Sequence, residues 1–189
     1  MRFGLTLRRL VCLALMVMYT GLHGSVSAQE VIVPESECKV KYVYLYSFAL
    51  LTKWPERAFT SDDAPFVIGV LGDKPYGEIL DAIAKKKKIG KRPIRIRRFK
   101  TLKDYEPCHI LYVTEDFVDV KPAVVCSTLK KEPVMIVGET PGNEKSGSVA
   151  TFHLDDGKVR FSLNMDAAHK RNLVVTARLS RLARPVQNN

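Results

Sequence analysis

Beyond the first 28 residues, the histidines and cysteines able to hold a metal, move a proton or attack a carbonyl are few. They are His109, His153 and His169, with Cys38, Cys108 and Cys126. Cys108 and His109 are neighbours in the apolar run CHILYV. Adjacent strand residues point to opposite faces, so these two cannot share one metal ion. The chain has no HExxH, GxSxG or CxxC. That removes the usual signatures of a zinc hydrolase, a serine esterase and a thiol oxidoreductase. Gly69, Gly72 and Gly77 follow a strand pattern and precede a helix pattern. Their spacing matches neither a Walker A loop nor GxGxxG, so Gly72 is read as a tight turn. No catalytic residue, metal site or cofactor site is expected, and the chain is not read as an enzyme.

Two other groups of residues carry a functional expectation. In open α/β sheets, ligands bind beyond the carboxyl ends of the strands. Gly72, Asp73, Thr114, Gly138, Glu139 and Thr140 fall there, which suggests a small-molecule or peptide site as an alternative function. The second group is Tyr42, Tyr46 and Ala49, with Lys53. If Val40, Tyr44, Phe48 and Leu51 face the sheet, this tyrosine-bearing side faces outward. Tyrosines are enriched at protein interfaces, so that side is expected to contact a partner or a second copy. Three cysteines allow one bridge at most. Position along the expected elements favours Cys108 with Cys126, a bridge of about 3 kcal/mol.

The elements that must position these groups read clearly in places. Pro34-Glu35-Ser36 opens a helix that runs to about Lys53, where Trp54-Pro55 stops it. It is apolar nearly all round, as a helix covered on several sides should be. PFVIGVL (65–71) is a buried strand, and a helix follows from Tyr76 to Ala84. Residues 93–99 alternate Ile with Arg, as an edge strand does. CHILYV and PVMIV are further buried strands. Pro122 interrupts the helical pattern between them, so a kink or a late start is expected. Asp155-Asp156-Gly157 joins two alternating runs as a hairpin. Asn164 or Asp166 caps a short helix, and Leu173–Ala183 ends the pattern. This order predicts an α/β fold. It is a three-layer sandwich with a largely parallel sheet, an antiparallel hairpin at one edge and helices on both faces.

The opening residues bound the compartment. Arg2, Arg8 and Arg9 precede an apolar run, and Val26-Ser27-Ala28 ends it with small residues. This predicts a secretory signal peptide over 1–28, cleaved near Ala28, and a single exported domain over 29–189. The leader holds three of the thirty Lys and Arg and none of the twenty Asp and Glu, which leaves a charge of +7. Residues Lys85–Lys100 alone contain ten Lys and Arg. Nucleic acid is excluded by the compartment. The patch suits an anionic membrane surface, and charged residues on an edge strand also block aggregation.

KVKYVYLYSFALLTKWPERAF, PFVIGVLGDKPYGEIL, GKRPIRIRRF, CHILYV, PVMIVGETPG and VRFSLNMDAAHKRNLVVTARLSRLAR occur in one order over residues 39–184. In that order they resemble the YfiR-like family of exported bacterial proteins. The resemblance implies a small, often dimeric periplasmic regulator without catalytic residues or cofactor. It implies binding to the periplasmic part of an inner-membrane signalling protein, a diguanylate cyclase in the best-known system. The outcome is repression, less cyclic di-GMP and less biofilm. That system pairs a first-strand cysteine with the one matching Cys108. The first strand here, Phe66–Leu71, has no cysteine, so the same bridge cannot form.

Overall fold

The computed structural model describes residues 34–73, 77–139 and 145–184. The expected leader, its cleavage site and Thr140 lie outside these. Five helices, α1 (Glu35–Leu51), α2 (Gly77–Lys86), α3 (Pro122–Thr128), α4 (Met165–Lys170) and α5 (Ala177–Leu182), are described. The described strands are β1 (Thr52–Lys53), β2 (Phe66–Leu71), β3 (Lys88–Ile89), β4 (Arg92–Phe99) and β5 (Ile110–Val113). They continue with β6 (Met135–Gly138), β7 (Ala150–Asp155), β8 (Lys158–Leu163) and β9 (Val174–Val175). Among the described residues no helix is long and apolar enough to cross a membrane.

Seven strands form one sheet in the order β3-β4-β2-β5-β6-β7-β8. The five from β4 to β7 are parallel, and β3 and β8 are antiparallel at the two edges. The chain leaves β2 for β4 on one side, then crosses back to β5 on the other. β2 and β5 therefore flank the point where the winding reverses. The sheet is apolar on both faces because helices cover both. Ile68, Val70, Ile110, Tyr112 and Val137 pack under α1, α2, α4 and α5. Val67, Leu71, Leu111, Val113 and Ile136 pack under α3 and the loop residues Leu102, Tyr105 and Phe117. The α/β sandwich expected from the sequence is the one observed. β1 and β9 pair separately as a two-stranded ribbon that ties the end of α1 to the approach to α5.

α1 faces the sheet with Tyr44 and Phe48 as expected, but it is turned so that Val40 is exposed and Tyr42 and Ala49 are buried. Cys38, Lys41, Tyr42, Leu45, Phe48 and Ala49 are buried, while Val40, Val43 and Leu50 are exposed. Tyr42 and Ala49, expected on the outer face, are each 1% exposed. Tyr46 is half-buried and Lys53 exposed. The reason is what lies beneath. Tyr42 meets the edge of Tyr112 at 6.4 Å, and Phe48 stacks on Phe152 at 5.7 Å. Tyr44 does face the sheet, 5.1 Å from Phe161.

The bridge expected between Cys108 and Cys126 is not formed, and all three described cysteines are buried. Both Cys108 and Cys126 belong to the cluster under α3. Cys108 lies against β2 near Gly69, whereas Cys126 lies against Gly147 and Ser148 at the start of β7. The two thiols therefore have different neighbours and are not joined.

Candidate binding site at the carboxyl ends of the strands

β2 and β4 end beside one another, and α2 begins above them. Together with the loop after β5 they enclose a cavity of about 470 Å³. Gly72 makes this possible. Its φ is +105°, a left-handed conformation that a Cβ disfavours, and a Cβ there would overlap Thr114 Oγ1. Thr114 in turn anchors the end of β2. Its N–H and its Oγ1 hydroxyl both donate to the Leu71 carbonyl at 3.1 Å.

The floor of the cavity is apolar, made by Tyr42, Val70, Leu80 and Phe99. Its rim is charged in two sectors. Asp73, Asp116 and Asp119 come from the loops after β2 and β5, and Arg98 and Lys100 come from the end of β4. Arg98 is partly spent on the scaffold. Its Nη2 donates to Asp81 Oδ1 and Oδ2 at 3.0 and 2.9 Å and to the Gly77 carbonyl at 3.2 Å, fixing the start of α2. An apolar floor with charges at the mouth is suited to holding a small amphipathic molecule. Among the described residues no group of three or more His, Cys, Asp or Glu is placed to hold a metal ion.

Of the six strand-end residues read from the sequence, Gly72 and Asp73 line this cavity, and Thr114 braces its wall. Gly138 is buried in β6, where it pairs with Thr151. Glu139 turns inward into a buried ionic network. Its carboxylate receives the Tyr112 hydroxyl, the Glu115 N–H at 2.8 Å and the Lys41 ammonium at 2.6 Å. Lys41 also meets Glu37 at 2.5 Å. Burial disfavours the charged form of Lys41, but Glu139 and Glu37 outweigh it and raise its pKa above the ordinary value. Burial first, then the Glu139 charge, raises the Tyr112 hydroxyl well above its ordinary range. This network pins α1 to the end of β6 beside the cavity, whose floor residue Tyr42 follows Lys41 directly.

Sequence reasoning missed Lys41, Asp116 and Asp119. Lys41 carried a signal, being four residues after Glu37 inside an otherwise apolar helix. Asp116 and Asp119 follow CHILYV and fall under the same strand-end rule that selected Asp73.

The histidines are dispersed. His153 lies on β7 and His169 on α4. His109 sits at the other end of the sheet from the cavity, its ring between Phe59 and Phe66 at 4.4 and 4.6 Å. Its Nδ1 accepts the Val67 N–H at 2.9 Å. Burial, the largest influence, lowers its pKa to about 4, so the ring is neutral near pH 7. Trp54 Nε1–H donates to the His109 carbonyl at 3.1 Å. The Trp54-Pro55 stop of α1 thus also locks the start of β5.

Comparison with known families matches residues 38–184 to the family described as YfiR/HmsC-like. The chain belongs to the YfiR/HmsC-like family. A search of curated proteins found no match. Members of the family are periplasmic regulatory proteins rather than enzymes, and they act with an inner-membrane partner. The match spans the complete sheet and the described helices from the second turn of α1 onward, so it concerns the whole fold and not one motif.

Proposed function

We propose that this YfiR/HmsC-like protein is exported to the periplasm, docks onto the periplasmic part of an inner-membrane diguanylate cyclase, and represses it. Cyclic di-GMP falls as a result. Family membership supports regulation through a membrane partner. The observation that carries docking is on α1. Val40, Val43 and Leu50 are 42%, 51% and 48% exposed. Positions 40, 43 and 50 lie one above another along one side of a helix. Three large aliphatic side chains aligned in water are what a protein partner would cover. Tyr46 lies one turn from Val43 and Leu50 on the same side, and exposed Lys53 follows the helix in β1, so two of the four interface residues read from the sequence stay in the proposal.

Repression needs no chemistry from this chain. A protein that binds the inactive conformation of the sensor better than the active one shifts its equilibrium by that difference in affinity. Co-expression with the cyclase should lower cellular cyclic di-GMP. The double variant V43E/L50E should restore it while keeping the parent's melting temperature. Full repression by the folded double variant would refute the α1 stripe as the docking face.

The cavity favours a second reading, a periplasmic small-molecule binder. The two readings are compatible if a molecule in the cavity changes the pose of α1, whose Tyr42 forms part of the floor.

A further inference from the structure

The two edges of the seven-stranded sheet are finished differently. At the β8 edge, Ser162 forms a bridge with Arg184, and the Arg184 N–H donates to the Phe161 carbonyl at 2.9 Å. At the other edge, β3 pairs with only the first two residues of β4: Lys88 faces Pro93 and Ile89 faces Arg92. Beyond Pro93, β4 runs for six more residues with β2 on its inner side and, among the described residues, no strand on its outer side. The direction of its backbone groups follows from one contact. Gly72 N–H donates to the Phe99 carbonyl at 3.0 Å, so Phe99 faces β2. In a parallel ladder alternate residues face the same neighbour. Arg95 and Arg97 therefore also bond inward, and Ile94, Ile96 and Arg98 present N–H and C=O groups to the open side.

The unpaired charge along this edge is one-signed. Lys85, Lys86, Lys87, Lys88, Lys91, Arg95 and Lys100 are exposed, and no described carboxylate pairs with any of them. Arg97 is paired with Glu106 and Arg98 with Asp81. Seven unpaired cations repel a second copy presenting the same edge, which is how natural sheets avoid edge-to-edge aggregation. The same charges attract an acidic strand. A lipid headgroup layer would use the charges but has no use for an aligned row of amides.

The geometry points to strand addition: the open edge of β4 from Ile94 to Phe99 receives an extended acidic segment of a partner polypeptide. Backbone bonds to Ile94, Ile96 and Arg98 set the register, and Arg95 and Lys100 take the acidic side chains. This surface is separate from the Val40–Val43–Leu50 stripe and does not depend on the partner being a cyclase. The Tyr46 hydroxyl, which donates to the Lys88 carbonyl at 3.4 Å, joins the two surfaces.

The test uses the purified mature protein and a ten-residue peptide alternating valine and glutamate. A second peptide of the same sequence is N-methylated at alternate amides, which keeps the charge and removes strand pairing. The first peptide should bind at least tenfold more tightly than the second. R95E/K100E, both exposed positions, should weaken it at least tenfold at an unchanged melting temperature. On binding, the amides of Ile96 and Arg98 should gain protection from hydrogen exchange, while those of Arg95 and Arg97, already bonded to β2, should change little. Equal binding of both peptides would overturn the proposal in favour of unspecific charge attraction. Binding to phosphatidylglycerol vesicles without peptide binding would overturn it in favour of a membrane surface. Binding to neither would leave the charges as an aggregation guard and also overturn it.

Discussion

Lys41 and Glu139 show how much a single buried pair can hold. The Glu139 side chain is fully buried and that of Lys41 is 5% exposed. Removing one partner of such a pair leaves an uncompensated charge inside the protein. Lys41→Met should destabilise the fold by about 3 kcal/mol in urea denaturation. The double variant K41M/E139Q should lose clearly less than the sum of the two single variants. Additive losses would mean that the two groups do not depend on each other. His109 gives a pH signature. Its ordinary pKa is 6.5 and burial brings it to about 4 in the folded protein. Above pH 6.5 the ring is neutral whether the chain is folded or not, so its contribution is constant. Below that, the unfolded chain takes up the proton first, and stability falls until the folded ring also protonates near pH 4. The full loss is about 3 kcal/mol. His109→Gln should flatten the fall in unfolding free energy between pH 6.5 and 4 relative to the parent. Identical slopes would show that other groups dominate acid unfolding.

At the scale of elements, the strands were legible and the rotation of α1 was not. Phe66–Leu71, Ile110–Val113 and Met135–Gly138 are short runs of Val, Ile and Leu bounded by turn residues, and local composition defines them. The hairpin turns at Asp156 and Gly157, both with positive φ, as Asp-Gly demands. Pro122 sits in the first turn of α3, so the interrupted pattern marked a late start and not a kink. α1 differs because apolar residues surround it. Its facing is set by Tyr112, Glu139 and Phe152, which are 70 or more residues away in the chain, and no local pattern encodes them. For the same reason the β1–β9 ribbon was invisible: it exists only because two distant segments lie alongside each other. β3 is instead a local hairpin with β4 across Gly90-Lys91, hidden in the lysine run. Half of the strand-end site was readable, because Gly72 and Asp73 follow a clear strand. Lys41 was not, because its value lies in the carboxylate it meets. If the outer side of α1 is a self-association or docking face, Tyr46→Arg should weaken assembly measured by light scattering and leave the melting temperature within about 2 °C. An assembly state unchanged by this substitution would remove Tyr46 from the interface.

For the molecule as a whole, the thiols distinguish this chain from a redox-gated design. Cys38, Cys108 and Cys126 are each buried, and Cys108 and Cys126 are not joined to each other. Burial, the largest influence, pushes the Cys108 thiol up to about 12 and raises that of Cys126. Thiols kept protonated and out of water react slowly. Native protein comprising residues 29–189 should resist alkylation, and its three cysteines should react once it is unfolded. Its melting temperature should be the same with and without dithiothreitol. A reductant-dependent melting temperature would show that a disulfide does form. Stability therefore rests on two apolar layers and the ionic tie at Glu139, and it should be independent of the oxidising state of the compartment.

Trp54 is the chain's one tryptophan, and it sits edge-on to Phe66 at 5.0 Å with its indole N–H held by the start of β5. Its intrinsic fluorescence is thus a reporter fixed at the amino end of the sheet. A molecule entering at the opposite end makes no contact with the indole. A change in emission during such a titration would have to be relayed along the strands, which makes this fluorophore a built-in detector of long-range conformational response.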